Sequence, residues 1–474
     1  MKKGSVLLVN TNVTRPPVSP VGLEYLGENL VDAKIPLRIL DLAFEKDWRE
    51  ALARELEMSE PLIIGLSVRN TDDCCSATRK SFLPWIKEVV EETRSWTKAF
   101  ILLGGVGFSV MPEAVLGFVP ADGGITGDGE TVVPALAERL LKGEAIYNLP
   151  NLIYRQGERI VTNLRQDCDL SQLPAYRRGL FDNQRYEAQG AIVGIETKRG
   201  CSQRCVYCAD PVAKGKKVRL RPPEKVAQEF ERLLAQGVSW FHLGDSEFNL
   251  PIDHAKAVCQ KVIQAGLGDK IRWYCYCAPI PFDRELVRLM KKSGCQGVNF
   301  GVDSLADEQL LRLGRVHTRR DAGELVQLLR EEGLNYMFDL LVGGPGENEA
   351  TLKETIERVK ALDVPQAGIA AGVRVYPGTL LGKAVASGAV KEGLFPGKER
   401  PAHEPLFYLS PYLGSDAYGL ISELVAEDKR FLFLSAPEEK SSYNYAGDSG
   451  LSRMIQDGER GAYWDIIRRT RNKF

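Results

Sequence analysis

Three cysteines fall close together in the stretch Arg199-Gly200-Cys201-Ser202-Gln203-Arg204-Cys205-Val206-Tyr207-Cys208. Thiolates are soft ligands that suit iron–sulfur clusters, which four cysteines ordinarily hold. Cys201, Cys205 and Cys208 in one loop would leave one iron of a [4Fe–4S] cube open to an outside ligand. A structural zinc site would instead show paired Cys-x-x-Cys ladders or a histidine beside them, and neither adjoins this loop. The other seven cysteines are dispersed, which does not resemble the framework of a small secreted domain. Cys259 and Cys295 read as core residues. Cys275 and Cys277 share one face of a predicted strand, expected to point into a barrel interior, where either packing or contact with substrate is their role.

Elements able to position this loop are legible on both sides of it. The first 145 residues alternate short apolar runs (Val6–Val9, Leu37–Leu40, Leu62–Leu66, Phe100–Leu103) with stretches of helical spacing such as Val21–Val31 and Ser81–Thr93. That pattern predicts a doubly wound α/β sheet, whose ligands bind at the carboxyl ends of the strands. Periodicity fades over 146–188, where Leu173–Arg178 reads as a linker packed on both neighbours. A second series of six strands follows over 189–385, at 192–196, 240–244, 271–275, 297–302, 336–342 and 367–375. Six βα units are too few for a complete barrel and predict a partial, open one. The remainder, 386–474, reads as a mainly helical cap, with Tyr443, Tyr445, Tyr463 and Trp464 as candidates to close the barrel mouth.

Composition narrows the functions available. Lys plus Arg total 62 against 63 for Asp plus Glu, a net charge of −1, which gives no general reason to bind nucleic acid or an anionic membrane. The first apolar run is interrupted by Asn10 and is too short for a signal peptide or a membrane span, so a cytoplasmic location is expected. All four histidines lie beyond residue 240, so the predicted N-terminal sheet has no imidazole to offer a metal.

The cysteine loop, with aromatic Tyr207 before its last cysteine, resembles the Cys-x3-Cys-x-aromatic-Cys loop of the radical S-adenosylmethionine (SAM) superfamily. The resemblance extends over the six-unit barrel. It implies that the open iron chelates the amino and carboxylate groups of SAM. In Gly244-Asp245-Ser246-Glu247, either Asp245 or Glu247 would accept from the SAM ammonium. Asn299-Phe300-Gly301-Val302-Asp303 would lie along the SAM ribose and methionine, with Asp303 where the superfamily commonly has Glu. Gly346, in Gly343-Gly344-Pro345-Gly346, would stand near adenine, and Arg315 and Arg374 are candidates for the SAM carboxylate.

The N-terminal segments Pro16-Pro17, Pro20–Leu23, Leu66–Asn70, Leu103–Gly105, Pro112-Glu113 and Thr126–Glu130 resemble the cobalamin-binding domain of cobalamin-dependent radical SAM enzymes. Asn12, Asn70, Thr71, Gly104, Gly105, Gly107, Gly127, Gly129 and Glu130 are then the candidates to bind the cofactor. Many cobalamin domains supply a histidine to cobalt. Here the resemblance implies a base-off cofactor with no histidine ligand and Arg69 at its lower face, since a guanidinium is always charged and a poor ligand.

Together the resemblances imply a class B-type methyltransferase that moves a methyl group from SAM through methylcobalamin to carbon. A second SAM would be cleaved to a 5′-deoxyadenosyl radical, supplied with electrons by an external flavodoxin- or ferredoxin-like donor. Cyclisation, rearrangement or polar methyl transfer with the same cofactors is one alternative. A cobalamin- and cluster-dependent redox or light sensor without turnover is another. The substrate, a small molecule or a peptide, is left open.

Overall fold

The computed structural model of the chain describes residues 4–397, 399–433 and 449–470. The early apolar runs become five parallel strands, β1 (Ser5–Asn10), β2 (Leu37–Asp41), β3 (Pro61–Ser67), β4 (Phe100–Gly104) and β5 (Gly123–Ile125), in the order 2-1-3-4-5. Every residue of β1 is buried, as a parallel strand covered on both faces requires. Its side chains alternate between two cores. Val6 and Leu8 pack with Leu30 and Leu136 of helices Val21–Asp32 and Val132–Lys142. Leu7 and Val9 pack with Ile86 and Val90 of helix Leu83–Trp96 on the other face.

The sheet does not stop at residue 145. A hairpin, β6 (Leu152–Gln156) and β7 (Arg159–Thr162), adds antiparallel to β5, so part of the segment read as linker belongs to the first unit. Without the hairpin, β5 would be an open edge.

The second series forms an open, parallel sheet with strands Val193–Ile195, Trp240–Leu243, Arg272–Cys277, Cys295–Asp303, Tyr336–Val342 and Ala367–Ala371 in sequential order. The sixth strand ends earlier than predicted: Gly372, at φ +81°, breaks it, and Val373–Arg374 joins a separate small sheet. The C-terminal region supplies a seventh strand, Phe431–Leu432, beside Ala367–Gly368, together with helices Ala417–Val425, Ser449–Gln456 and Tyr463–Thr470.

Alternation divides these strands cleanly. Phe241, Leu243, Trp273, Val298, Phe300, Phe338 and Leu340 face the surrounding helices in one core. Cys275 and Cys277 belong to that core, each 0% exposed, so the expectation that they enter the barrel is reversed: they sit on the outward face, one register away from the lumen. The lumen receives the intervening side chains, among them Trp240, His242, Tyr274, Tyr276, Asn299 and Asp339.

Helix Tyr463–Thr470 closes the end of the barrel where the strands begin, not the mouth. Trp464 packs with Tyr274 and Met337, and its indole Nε1 donates to Asn299 Oδ1 at 2.7 Å. Gly297 makes room, since a Cβ there would come within 2.8 Å of the Trp464 ring. Tyr443 and Tyr445 lie outside the described residues.

Three buried polar clasps hold the units face to face. Arg178, 0% exposed, donates to Glu24 at 2.7 Å and to Glu229 at 2.6 Å, joining the N-terminal helix Val21–Asp32 to barrel helix Pro223–Ala235. Tyr176 stacks on Tyr25 beside it, ring centroids 3.9 Å apart. Arg199 bridges Asp128 at 3.0 Å and Glu130 at 2.6 Å, and Arg374 meets Asp72 at 2.7 Å.

Candidate active site between the two units

At the carboxyl ends of β1 and β3, where the strand order reverses, a crevice is expected. The structure has a solvent-open cavity there, walled on its far side by Glu196, Arg199, Lys214 and Gly244 of the barrel mouth. Asn12, Arg69, Gly104, Gly105, Gly127, Gly129 and Glu130 line it. Its chemistry fits a large, mainly apolar cofactor with polar edges. A Cβ on Gly104 or Gly22 would meet nothing within 4 Å, so both glycines leave space facing the cavity. The buried Asn12 Nδ2 has no hydrogen-bond partner, a donor left for a bound group.

Other candidates in this domain are turned away. Gly107 serves backbone packing, because a Cβ would come within 2.8 Å of the Val68 carbonyl oxygen and the Asn70 carbonyl carbon. Thr71 is 2% exposed and its hydroxyl donates to Asp72 at 2.8 Å. The Asn70 amide, in the orientation that satisfies both its ends, folds back on Arg69, accepting from Nη1 at 3.2 Å. Glu130 reaches the cavity wall but is committed to Arg199. Burial alone would raise the Asp128 carboxyl, yet Arg199 and Arg219 outweigh it and hold it at about 2. Asp128, Glu130 and Cys168 converge as three donor atoms, but the two arginines already neutralise the carboxylates, so the group is an ion-pair cluster.

The cysteine loop follows the first barrel strand and runs between Arg199 and Ala213, which both line this cavity. Cys201, Cys205 and Cys208 are free thiols. Burial pushes Cys201 up to about 11 and raises Cys205 and Cys208, so thiolates would form here only with a cation to bind. Arg315 supplies one cation: its Nη1 donates to Cys205 Sγ at 3.1 Å, its Nε lies 3.4 Å from Asp303, and its other nitrogen donates to the Gly301 carbonyl. Tyr207 donates to Asp303 at 2.6 Å. The donor set fits a cluster with three cysteine ligands.

Among the SAM candidates, the structure separates Glu247 from Asp245. Asp245 accepts from the Thr197 and Lys198 amides at 2.8 and 3.2 Å, from the Thr197 hydroxyl at 2.5 Å and from Lys198 Nζ at 3.3 Å. It is a structural acid with no capacity for a ligand. Glu247 Oε2 is buried without a partner, and burial pushes its carboxyl up to about 7. Asn299 is held by Trp464 on the floor side. Arg374 is saturated by Asp72 and by the carbonyls of Val375 and Leu406, which removes it as a SAM carboxylate partner. Gly346, at φ +73°, accepts at its carbonyl from Arg312, a turn that serves the barrel rim.

Sequence reasoning passed over His242, Tyr276, Asp339 and Lys214. The signal was present: in Trp240-Phe241-His242-Leu243 and Met337-Phe338-Asp339-Leu340 the inward positions interrupt an otherwise apolar run at a period of two. His242 and Tyr276 lie with ring centroids 5.3 Å apart, and burial pushes His242 down to about 4, leaving it neutral.

Comparison with known proteins accords with this geometry. The B12 binding domain model matches residues 7–137 and the Radical SAM superfamily model residues 195–359. The tryptophan 2-C-methyltransferase of Streptomyces laurentii is 31% identical over 449 residues, covering 81% of this chain and 75% of that protein. An uncharacterized methyltransferase of Pyrococcus horikoshii is 26% identical over 369 residues, covering 76% and 77%. Among solved structures, the radical SAM methyltransferase TsrM from Kitasatospora setae, with tryptophan substrate and a SAM analogue bound, superimposes with a TM-score of 0.92 at 30% identity over 99% of both chains. The same enzyme with cobalamin and a [4Fe–4S] cluster gives 0.91 at 28% identity, covering 99% of this chain and 98% of that one.

Proposed function

Because this chain belongs to the cobalamin-dependent radical SAM methyltransferases, we propose that it methylates a ring carbon of tryptophan or a closely similar aromatic amino acid. The observation that carries this reading is the barrel lumen. Its inward wall offers His242, Tyr276 and Asp339 above a floor made by Trp464, an aromatic chamber with few, fixed polar groups. When bound, the cluster supplies electrons and cobalamin a cobalt centre that carries methyl groups.

The residues of this chain divide the work by position. Cys201, Cys205 and Cys208 hold the cluster, with Arg315 and Tyr207 fixing the loop around Asp303. Glu247, unpartnered beside that loop, is the acceptor for the SAM ammonium. Asn12, Gly104, Gly105, Gly127 and Gly129 shape the cobalamin cavity. Helix Tyr463–Thr470 excludes water from below, which favours charge transfer in a dry chamber. An external flavodoxin- or ferredoxin-like protein is the proposed source of electrons, which would serve to bring the bound cofactors to their reduced state and not be consumed at each redox-neutral methyl transfer. Among the described residues no helix is long and apolar enough to cross a membrane.

An indole carbon carries its own nucleophilic electron pair, so this substrate favours polar methyl transfer over abstraction of a hydrogen atom. Anaerobic assays with tryptophan should therefore give methylated product and S-adenosylhomocysteine in equal amounts without 5′-deoxyadenosine. Formation of 5′-deoxyadenosine alongside both would restore the radical route. Turnover on other substrates but none on aromatic amino acids would overturn the proposed substrate.

Arg69 stands in the cavity wall, and its charge is felt by His242 and Tyr463 in the lumen. As a guanidinium it would line a bound cobalamin without offering the cobalt a ligand. The Arg69→Ala variant should admit water or another ligand there, visible as a change in the cobalt electron paramagnetic resonance spectrum. An unaltered spectrum would remove the assignment.

A further inference from the structure

Around the barrel interior, four carboxylates are matched with cations, whereas Glu247 at the mouth is not. Glu196 lies 2.8 Å from Arg199, Asp210 3.3 Å from Lys214, Asp245 3.3 Å from Lys198 and Asp303 3.4 Å from Arg315. Asp339, midway along strand Tyr336–Val342, has no such partner among the described residues; its one hydrogen bond comes from Asn299 Nδ2 to Oδ2 at 3.3 Å. The neighbours Phe338 and Leu340 are 0% and 2% exposed toward the helices, whereas Asp339 keeps partial exposure. That exposure is toward the lumen.

The surroundings of Asp339 are set from below. Trp464 Nε1 holds Asn299 Oδ1 at 2.7 Å, so the Asn299 amide nitrogen is the end left to face the carboxylate. Asp339 Oδ1 keeps its accepting capacity. A carboxylate held in such a place without a counter-charge is costly, and burial pushes this one up to about 7. The cost is relieved when a ligand brings a donor.

We propose that Asp339 is the specificity-determining acceptor for an N–H group of the substrate, and that Trp464, acting through Asn299, is its positioning residue. The assignment rests on the aromatic amino acid reading above. Such a substrate has two N–H sources, the ring nitrogen and the α-ammonium, and the same acceptor chemistry serves either.

The test is equilibrium binding to the enzyme reconstituted with cluster and cobalamin. The ligands are tryptophan, its benzothiophene analogue, which lacks the ring N–H, and indole-3-propionate, which lacks the ammonium. Wild type should bind one of the two analogues about 10-fold or more weaker than tryptophan, because a site built for a donor is left unpaired by its absence. In D339N that gap should close to about 2-fold, and the analogue whose penalty disappears identifies the donor. W464F, which keeps an aromatic ring and loses the indole N–H, should narrow the same gap in part. A purely structural role would weaken all three ligands alike and leave the gap unchanged, which would overturn the proposal. Wild type that fails to distinguish either analogue from tryptophan would overturn it even if D339N does not fold. Binding of none of the three would remove the substrate class and this assignment together, whereas tight tryptophan binding with an unmoved gap in D339N removes Asp339 alone.

Discussion

The Cys205→Ala enzyme is expected to retain almost no iron and no methyltransferase activity, against about four irons per chain in wild type. Cys205 is the thiol that Arg315 reaches at 3.1 Å, within a network that also takes in Asp303, Gly301 and Tyr207. Two remaining cysteines cannot hold a cube, and among the described residues the other thiols stand elsewhere: Cys259, Cys275, Cys277 and Cys295 in the core behind the barrel wall, Cys74 and Cys75 on the loop beyond β3, and Cys168 beside Asp128. Folding should be little affected, because the loop has only short, local secondary structure. Iron analysis and far-ultraviolet circular dichroism on the same preparation check both statements. About eight irons in wild type would instead require a second cluster, and a variant that kept four would show that the loop is not the ligand set.

The second large effect is on stability. Arg178→Ala should destabilise the protein by about 3 kcal/mol, since it leaves Glu24 a buried acid without a cation, while Glu229 keeps Arg221 at 2.7 Å. Arg178→Lys keeps the charge but cannot span both carboxylates, so it should fall between wild type and alanine. Denaturant midpoints of the three proteins give the order directly. Equal midpoints for wild type and Arg178→Ala would mean that the clasp contributes nothing net.

Much of this architecture is written locally in the sequence. A fully buried parallel strand must be a continuous apolar run, as Val6–Val9 is, and three thiols in one short loop need no tertiary information to be recognised. What stayed hidden depends on distant partners. Asp245 and Glu247 are two residues apart and chemically alike, yet Thr197 and Lys198 consume the first and leave the second open. Arg374 carries the same charge as Arg315, and only the approach of Asp72 from the other unit commits it. The placement of Cys275 and Cys277 turned on a single-residue choice of strand face, which a period of two cannot settle without knowing where the helices lie. The β6–β7 hairpin escaped for a related reason: its outer strand is largely solvated, and the apolar signal of a two-sided strand is absent.

The three clasps have a consequence for time. A cavity closed by a hinge can exchange its contents whenever the hinge swings, within microseconds to milliseconds. Here Arg178, Arg199 and Arg374 fasten the two walls at separate places around the cavity, and no single pivot frees all of them. Opening wide enough to pass a cobalamin means breaking several desolvated ion pairs together. Exchange of a bound cobalamin is therefore expected to be much slower than exchange of the smaller reactants.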